Sequence, residues 1–235
     1  MYGDHSSATA LQRSSDLNDV PGRNPFNDDL ISRDNVVSTI TEATSFIEAA
    51  NSTAQAVIWA RTMPQNVRGA LSASDYSIGS SRRVCVSIAH SENATRQLLS
   101  ARSITDDVIL DWISKDVSVL VRAMASLISI DAVTIRIEGV DDNACSKFHR
   151  DTVRARLVCT YDGPGTEYGM AVPKSEPGKI KAVATGHPVL FKGKTWSSPS
   201  SGSTPGDHQL VHRSPAIAGT GMKRLVLVVD EAASE

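Results

Sequence analysis

The chain has 235 residues, 40% of them hydrophobic and 21% charged, with a formal net charge of −2. That length suits one substantial core with appendages, and the near-neutral balance excludes an electrostatic case for nucleic acid or an anionic membrane surface. Partners must therefore be recognised at a site, as a small-molecule or protein substrate.

No apolar run reaches the roughly 18–20 residues of a membrane span, and MYGDHSSATALQRSSD lacks the basic-then-apolar order of a secretory signal. The three cysteines, Cys85, Cys145 and Cys159, are odd in number and too few for a disulfide framework. Both features point to a cytoplasmic protein.

Residues 1–34 are rich in Ser, Asp, Asn, Gly and Pro and cannot bury enough surface to offset the entropy of ordering. They read as a disordered polar tail, with a short docked piece near Phe26 to Ile31, ahead of a single domain over 35–235. Asp34 is placed to cap an amphipathic helix in which Val36, Val37, Ile40, Ala43, Ile47 and Ala50 recur at helical spacing. AQAVIWAR (54–61) reads as a buried strand, and Pro64 opens a short helix in PQNVRGALSA. RRVCVSIA (82–89) is a second strand. From 104 to 128 Val108, Ile109, Trp112, Ile113, Val117, Leu120, Val121, Met124 and Leu127 supply an apolar face, with Asp106 and Asp107 near the positive end, so a long helix is expected.

Beyond it the pattern turns to strands: DAVTIRIEGV (131–140), the run after FHRD, HPVLFKG (187–193), HQLVHRSP (208–215) and KRLVLVV (223–229), separated by Gly, Pro, Asp and Ser. Helices first and strands later argue for an α+β fold, with helices laid on a sandwich or barrel. SSPSSGSTPGD (197–207) has the composition of a flexible loop.

In SKFHRDTVRARLVCTY, counting in twos from His149 gives Asp151, Val153, Ala155, Leu157, Cys159 and Tyr161, while the other parity carries Arg150, Arg154 and Arg156. Side chains alternate across a strand, which would aim His149 and Asp151 inward with the first set and carry the arginines into solvent or onto partner groups. A buried imidazole and carboxylate need a partner, and His-x-Asp spacing on a strand lets both reach one cation. His212, late in HQLVHRSP, completes a two-histidine, one-carboxylate set that leaves coordination positions open, as a reactive iron site requires. Arg224, at the head of RLVLVV, would hold the far carboxylate of a dicarboxylic cosubstrate through a bidentate pair. Lys223 is the substitute if the register slips by one residue, whereas Arg213 would face away from His212.

Simpler readings stand beside these. His149 and Asp151 can be a hydrogen-bonded pair at a strand end, Cys159 a small buried residue, His187 and His208 surface residues, and Trp112 part of the core. Cys145 and Cys159, with His149 and Asp151, would alternatively make a zinc site, since thiolate and imidazole suit that ion. DGPGTEY (162–168) is a tight loop near which Tyr161, Thr160 or Glu167 would contact a cosubstrate. Nothing matches a phosphate-binding glycine loop or a G-x-S-x-G elbow.

The order H-x-D, a distant H and then R in a block of strands resembles the Fe(II)/2-oxoglutarate dioxygenases and their cupin-like relatives. That resemblance implies a double-stranded β-helix, a jelly-roll barrel flanked by the N-terminal helices, with iron at its mouth. TGHPVLFKG (185–193) is similar to the segment before the distal histidine in such barrels, with His187-Pro188 where Gly-Asp is usual. More closely, CSKFHRDTVRARLVCTYDGPGTEY, LFKGKTW and LVHRSPAIAGTGMKRLVLVVD together resemble a bacterial domain-of-unknown-function family, number eighteen twenty-six, over most of the chain from about residue 35. The resemblance implies Fe(II) at His149, Asp151 and His212, 2-oxoglutarate at Arg224, and hydroxylation of an unknown substrate. The alternative is a non-oxygenase protein of cupin type that holds zinc or another divalent ion for sensing or homeostasis.

Overall fold

The computed structural model describes residues 36–79, 83–196 and 208–232. The polar tail, the Asp34 cap and the 197–207 loop lie outside these residues.

The helix expected from Val36 onward is instead a strand, β1 (Val37–Ile40), followed by a short helix α1 (Phe46–Asn51). β1 pairs in parallel with β2 (Ala56–Trp59), from Val37 opposite Ala56 to Ile40 opposite Trp59. Val36, Val37 and Ile40 fit either period, and β-branched residues favour the extended choice once a partner strand is present. Pro64 occupies the cap position of α2 (Gln65–Ala73), which buries Val67 and Leu71. β3 (Val84–Ser87) is an edge strand. α3 (Ser91–Ser100) was not expected from the sequence. The long helix α4 (Asp107–Ile128) forms as expected: Asp106 accepts from the backbone N–H groups of Val108 (2.8 Å) and Ile109 (3.3 Å).

The remaining strands are β4 (Ala132–Val140), β5 (Ala155–Asp162), β6 (Glu167–Ala171), β7 (Lys181–Ala182), β8 (Pro188–Lys192), β9 (Gln209–Arg213) and β10 (Arg224–Glu231). They build a seven-stranded sheet in the order β1-β2-β8-β5-β10-β4-β3 and a three-stranded sheet in the order β7-β6-β9. The result is a mixed α and β protein with two sheets.

One core lies between the helices and the large sheet, where Ile113, Val117 and Met124 of α4 meet Leu157, Cys159, Leu225 and Leu227. A second fills the space between the sheets: Ile58, Val158, Val189, Phe191, Val226 and Val228 from the large one, Leu210 from the small one. Strands β5 and β10 are thus buried on both faces, which explains the nearly unbroken apolar run of β10.

The helix-side core contains an ion pair. Arg61 Nη1 and Nη2 donate to Asp116 of α4 at 2.5 and 2.7 Å, and the Tyr161 hydroxyl donates to the same carboxylate at 2.7 Å. Removing one partner strands the other charge away from water. Asp116→Ala is expected to lower stability by about 3–5 kcal/mol, read as a drop in the urea midpoint. Arg61→Met with Asp116→Leu should restore most of that loss, because no charge is then left buried.

Candidate metal centre

His149 lies in an extended segment before β5 and forms an antiparallel bridge with His212 of β9. The His149 N–H donates to the His212 carbonyl at 3.0 Å, and the His212 N–H donates back at 2.9 Å. Directly opposed residues of an antiparallel pair project to the same face. The imidazoles therefore sit side by side, centroids 4.7 Å apart, and Phe191 stacks on His212 at 4.1 Å.

Past Asp151 the chain bends over residues 152–154 before β5 begins at Ala155. The bend breaks the expected parity. His149 shares a cavity with Arg156 and Val158 on the inter-sheet side, whereas Leu157, Cys159 and Tyr161 face the helices. Alternation holds only within an unbroken strand. The arginines of the other parity do not reach solvent freely: Arg154 pairs with Glu231, and Arg156 with Asp230 and Asp151.

The bend is braced from β8's end, where the Gly193 N–H donates to Arg154 O (2.8 Å) and the Lys194 N–H to Asp151 O (2.8 Å). A Cβ on Gly193 would lie 1.8 Å from Val153 O and 3.0 Å from Asp151 O. Gly193→Ala must therefore shift the backbone that carries Asp151. We expect it to weaken metal binding about 10–100-fold, as loss of a supporting contact does. Gly178→Ala, with nothing within 4 Å, should leave affinity unchanged.

His149, Asp151 and His212 offer ligand atoms that all lie within 4.8 Å of one another. Asp151 Oδ1 lies 3.6 Å from His149 Nε2, and Oδ2 lies 3.1 Å from His212 Nε2. Ligand atoms about 2.0–2.2 Å from a first-row ion are separated by roughly 3 Å, so the cluster is near the size that such an ion requires. The hydrogen-bond pattern fits as well. His149 Nδ1 meets the Lys147 carbonyl at 2.9 Å, which puts the proton on Nδ1 and leaves a lone pair on Nε2. Asp151 Oδ1 is held by the Arg156 guanidinium, while Oδ2 is buried and faces the His212 ring without a well-formed hydrogen bond.

Burial opposes ionisation of Asp151, but the adjoining His149 and His212 rings and the Arg156 cation hold its carboxyl far below the ordinary range. Burial lowers the pKa of His212, while contact with Asp151 raises that of His149. An ionised carboxylate beside a neutral, buried imidazole is the protonation state that binds a cation.

The second charged feature is Arg224, whose side chain is among the largest fully buried ones at 1% exposure. Its guanidinium donates to the hydroxyls of Ser214 (2.9 Å), Thr160 (3.1 Å) and Thr166 (3.4 Å), and its Nε has no partner. Among the described residues no carboxylate lies within ion-pair distance of it, and burial lowers its pKa to about 10. A cavity of about 80 Å³ joins it to the metal group, lined by His149, His212, Arg156, Thr166, Ser214 and Arg224 among others. That volume admits roughly five to eight water-sized spheres, a slot for a small ligand.

The structure thus brings His149, Asp151 and His212 together and puts Arg224 at the adjoining slot, while Thr160 does not line the slot and reaches it only through its hydrogen bond to Arg224. It does not bring Tyr161 or Cys159 there. Tyr161 is hydrogen-bonded to Asp116 in the helix-side core, and Cys159 is fully buried beside it with its thiol pKa raised to about 12 by burial. Of the alternative zinc residues, exposed Cys145 lines the slot but does not join the three-residue group. His187 and His208 are outside that group too. Lys223 is engaged elsewhere, donating to Ser74 O over the Tyr76 ring, and Arg213 pairs with Glu167. Trp112 packs edge-on against Tyr161 as a core residue.

Sequence reasoning missed Thr166, Ser214 and Arg156. Ser214 lies two residues after His212 and Thr166 lies in the DGPGTEY loop, so adjacency to the motif was the one available signal. No described helix is long and apolar enough to cross a membrane.

Comparison with known proteins adds the following. The family model described as "Protein of unknown function (DUF1826)" matches residues 41–230. No curated protein matches the chain. Among solved structures, similarity extends to the dioxygenase for auxin oxidation 1 from Arabidopsis thaliana in complex with 2-oxoglutarate, at 11% identity, 85% of this chain, 92% of that one and a TM-score of 0.45. A prolyl-4-hydroxylase from Pseudomonas putida is similar at 11% identity over 82% of this chain and 100% of its own, with a TM-score of 0.42. An oxidoreductase of the 2OG-Fe(II) oxygenase family from Burkholderia pseudomallei is similar at 13% identity over 82% and 93%, with a TM-score of 0.39. At such identities and scores neither fold nor chemistry transfers, and the site must be judged on its own geometry.

Proposed function

The chain belongs to the DUF1826 family of proteins of unknown function, and from that premise we propose that it is an Fe(II)- and 2-oxoglutarate-dependent oxygenase on a double-stranded β-helix. The observation that carries this reading is one juxtaposition. His149 and His212 of a His-Asp-His group line the same slot as Arg224, a buried guanidinium that makes no direct ion pair among the described residues. Each charge calls for a ligand of opposite sign, and the two sites share one small cavity. A metal at the first and a dicarboxylate reaching the second satisfy both.

Strand order supports the fold. From β4 to β10 the chain passes back and forth between the sheets, and β8-β5-β10-β4 faces β7-β6-β9 with the His149 segment bridged onto β9. In this reading Nε2 of His149, Nε2 of His212 and Oδ2 of Asp151 hold iron, and the remaining positions stay open. Bound iron supplies dioxygen activation coupled to decarboxylation of 2-oxoglutarate, with one oxygen atom going to the substrate and one to succinate.

The chain's own groups do the rest. Arg156 keeps Asp151 ionised and fixes its rotamer. Arg224 receives the distal carboxylate, and Ser214, Thr160 and Thr166 orient its planar fork. Val158, Val226, Val228 and Phe191 keep water from the slot.

The test is calorimetric titration of 2-oxoglutarate into protein reconstituted anaerobically with one equivalent of Fe(II), followed by measurement of succinate on admitting oxygen. Saturable binding and slow, substrate-free succinate release are expected. Iron-loaded protein that binds no 2-oxoglutarate ends the oxygenase reading. Cys145→Ser should retain its metal, and loss of metal would favour the zinc alternative.

A further inference from the structure

His149 lines two cavities: the narrow slot toward Arg224, and a wider cleft of about 570 Å³ on the other side of its segment. Its side chain is also the exposed member of the metal group, at 38% against 6% for Asp151 and 8% for His212. The cleft is therefore where a molecule from solvent would meet the group.

The charge there is one-sided. Lys147, Arg150, Lys174 and Lys194 line it against the one carboxylate of Glu176, a local balance of +3 in a chain whose total is −2. Among the described residues none of these four cations forms an ion pair. Arg150 is held in place without a counter-ion: its Nη2 donates to Gly193 O at 2.7 Å and its Nε to Lys192 O at 3.3 Å. A concave site of one sign focuses its field on an incoming anion. Phe148, Val172 and Val211 supply an apolar wall, and the volume falls in the range of about 300–1,000 Å³ that suits small-molecule sites.

We propose that this cleft binds the molecule to be oxidised, and that this substrate is a small anion with a carboxylate or phosphate group and an apolar body. The apolar part lies against Phe148 and Val211, and the anionic group lies among Arg150, Lys174 and Lys194. The assignment rests on the oxygenase reading for its catalytic meaning. The cleft's preference for anions is testable without it.

The experiment uses the metal-free full chain and three probes with one aromatic body: 1-naphthyl phosphate, 1-naphthoate and neutral 1-naphthol, each titrated calorimetrically. At least one anion should bind, roughly tenfold or more tighter than naphthol, and the stronger of the two tells phosphate from carboxylate. Lys174 and Lys194 are exposed, so Lys174→Glu with Lys194→Glu should fold normally and weaken the anion by roughly tenfold or more. Arg224→Met should leave it unchanged.

Equal binding of naphthol, no binding of either anion, or loss on Arg224→Met without loss on the lysine pair would overturn the proposal. If anion binding fails while iron-loaded protein still takes up 2-oxoglutarate, the substrate class alone is wrong. If anions bind the cleft and 2-oxoglutarate does not bind, the cleft stands and the oxygenase reading falls.

Discussion

Asp151→Ala is expected to abolish stoichiometric iron binding while leaving the chain folded. Asp151 is the one carboxylate of the group, and its buried Oδ2 faces His212 Nε2 at 3.1 Å. Without it, two imidazoles remain beside the Arg156 cation, a neutral pair next to a positive charge, and the affinity for a divalent ion should fall by about 100-fold or more, beyond what loss of a supporting residue costs. The fold should tolerate the change, because Arg156 keeps its two hydrogen bonds to Asp230 at 2.7 and 2.9 Å. Iron per chain after anaerobic loading and desalting checks the first half, and the thermal midpoint of metal-free protein checks the second. Undiminished iron in Asp151→Ala would remove the group from consideration.

Arg224→Met should move two quantities in opposite directions. The guanidinium is buried with no direct ion pair among the described residues, and burial depresses its pKa to about 10 against the opposing attraction of Glu138 and Glu167. A cation whose folded pKa lies below its unfolded value is a burden on the native state. That burden is present in full at pH 7, below both values, and is relieved only as pH rises through them, so it amounts to something on the order of 3 kcal/mol. Methionine of similar length should raise the urea midpoint, by an amount on the order of 1–3 kcal/mol. The same change removes the partner of the distal carboxylate and should weaken 2-oxoglutarate by about 2–5 kcal/mol, more than 30-fold. A variant more stable and less able to bind is the mark of a residue kept for function. A variant less stable than the parent would mean that Arg224 is structural.

Much of this was legible from residue chemistry. His149, Asp151, His212 and Arg224 stood out through the H-x-D spacing at the head of an expected strand, a later histidine at the end of a short apolar run, and an arginine opening the last strand. The long helix was legible because Asp106 caps a stripe of period 3.6. What failed was wherever a distant partner decides. Val36, Val37 and Ile40 satisfy helix and strand alike, and pairing with β2 chose the strand. α3 was missed because SENATRQLLS is mostly polar, with Ala94, Leu98 and Leu99 as its buried apolar contacts.

Counting in twos from His149 failed at the bend of residues 152–154, which Gly193 braces from far along the chain. Nearness to the DGPGTEY loop put Tyr161 among cosubstrate residues, when its face belongs to the helices. Thr166 and Ser214 carry no signal of their own, and only the meeting of three segments around Arg224 identifies them. The basic cleft is equally silent, since Lys147, Lys174 and Lys194 come from separate stretches with ordinary local charge.

The most direct test is an anomalous difference map at the iron edge from crystals grown and soaked anaerobically with Fe(II). A peak about 2.0–2.2 Å from Nε2 of His149, Nε2 of His212 and one carboxylate oxygen of Asp151 is the result expected. A map with no peak among these three residues, or with the ion at Cys145 instead, would contradict it.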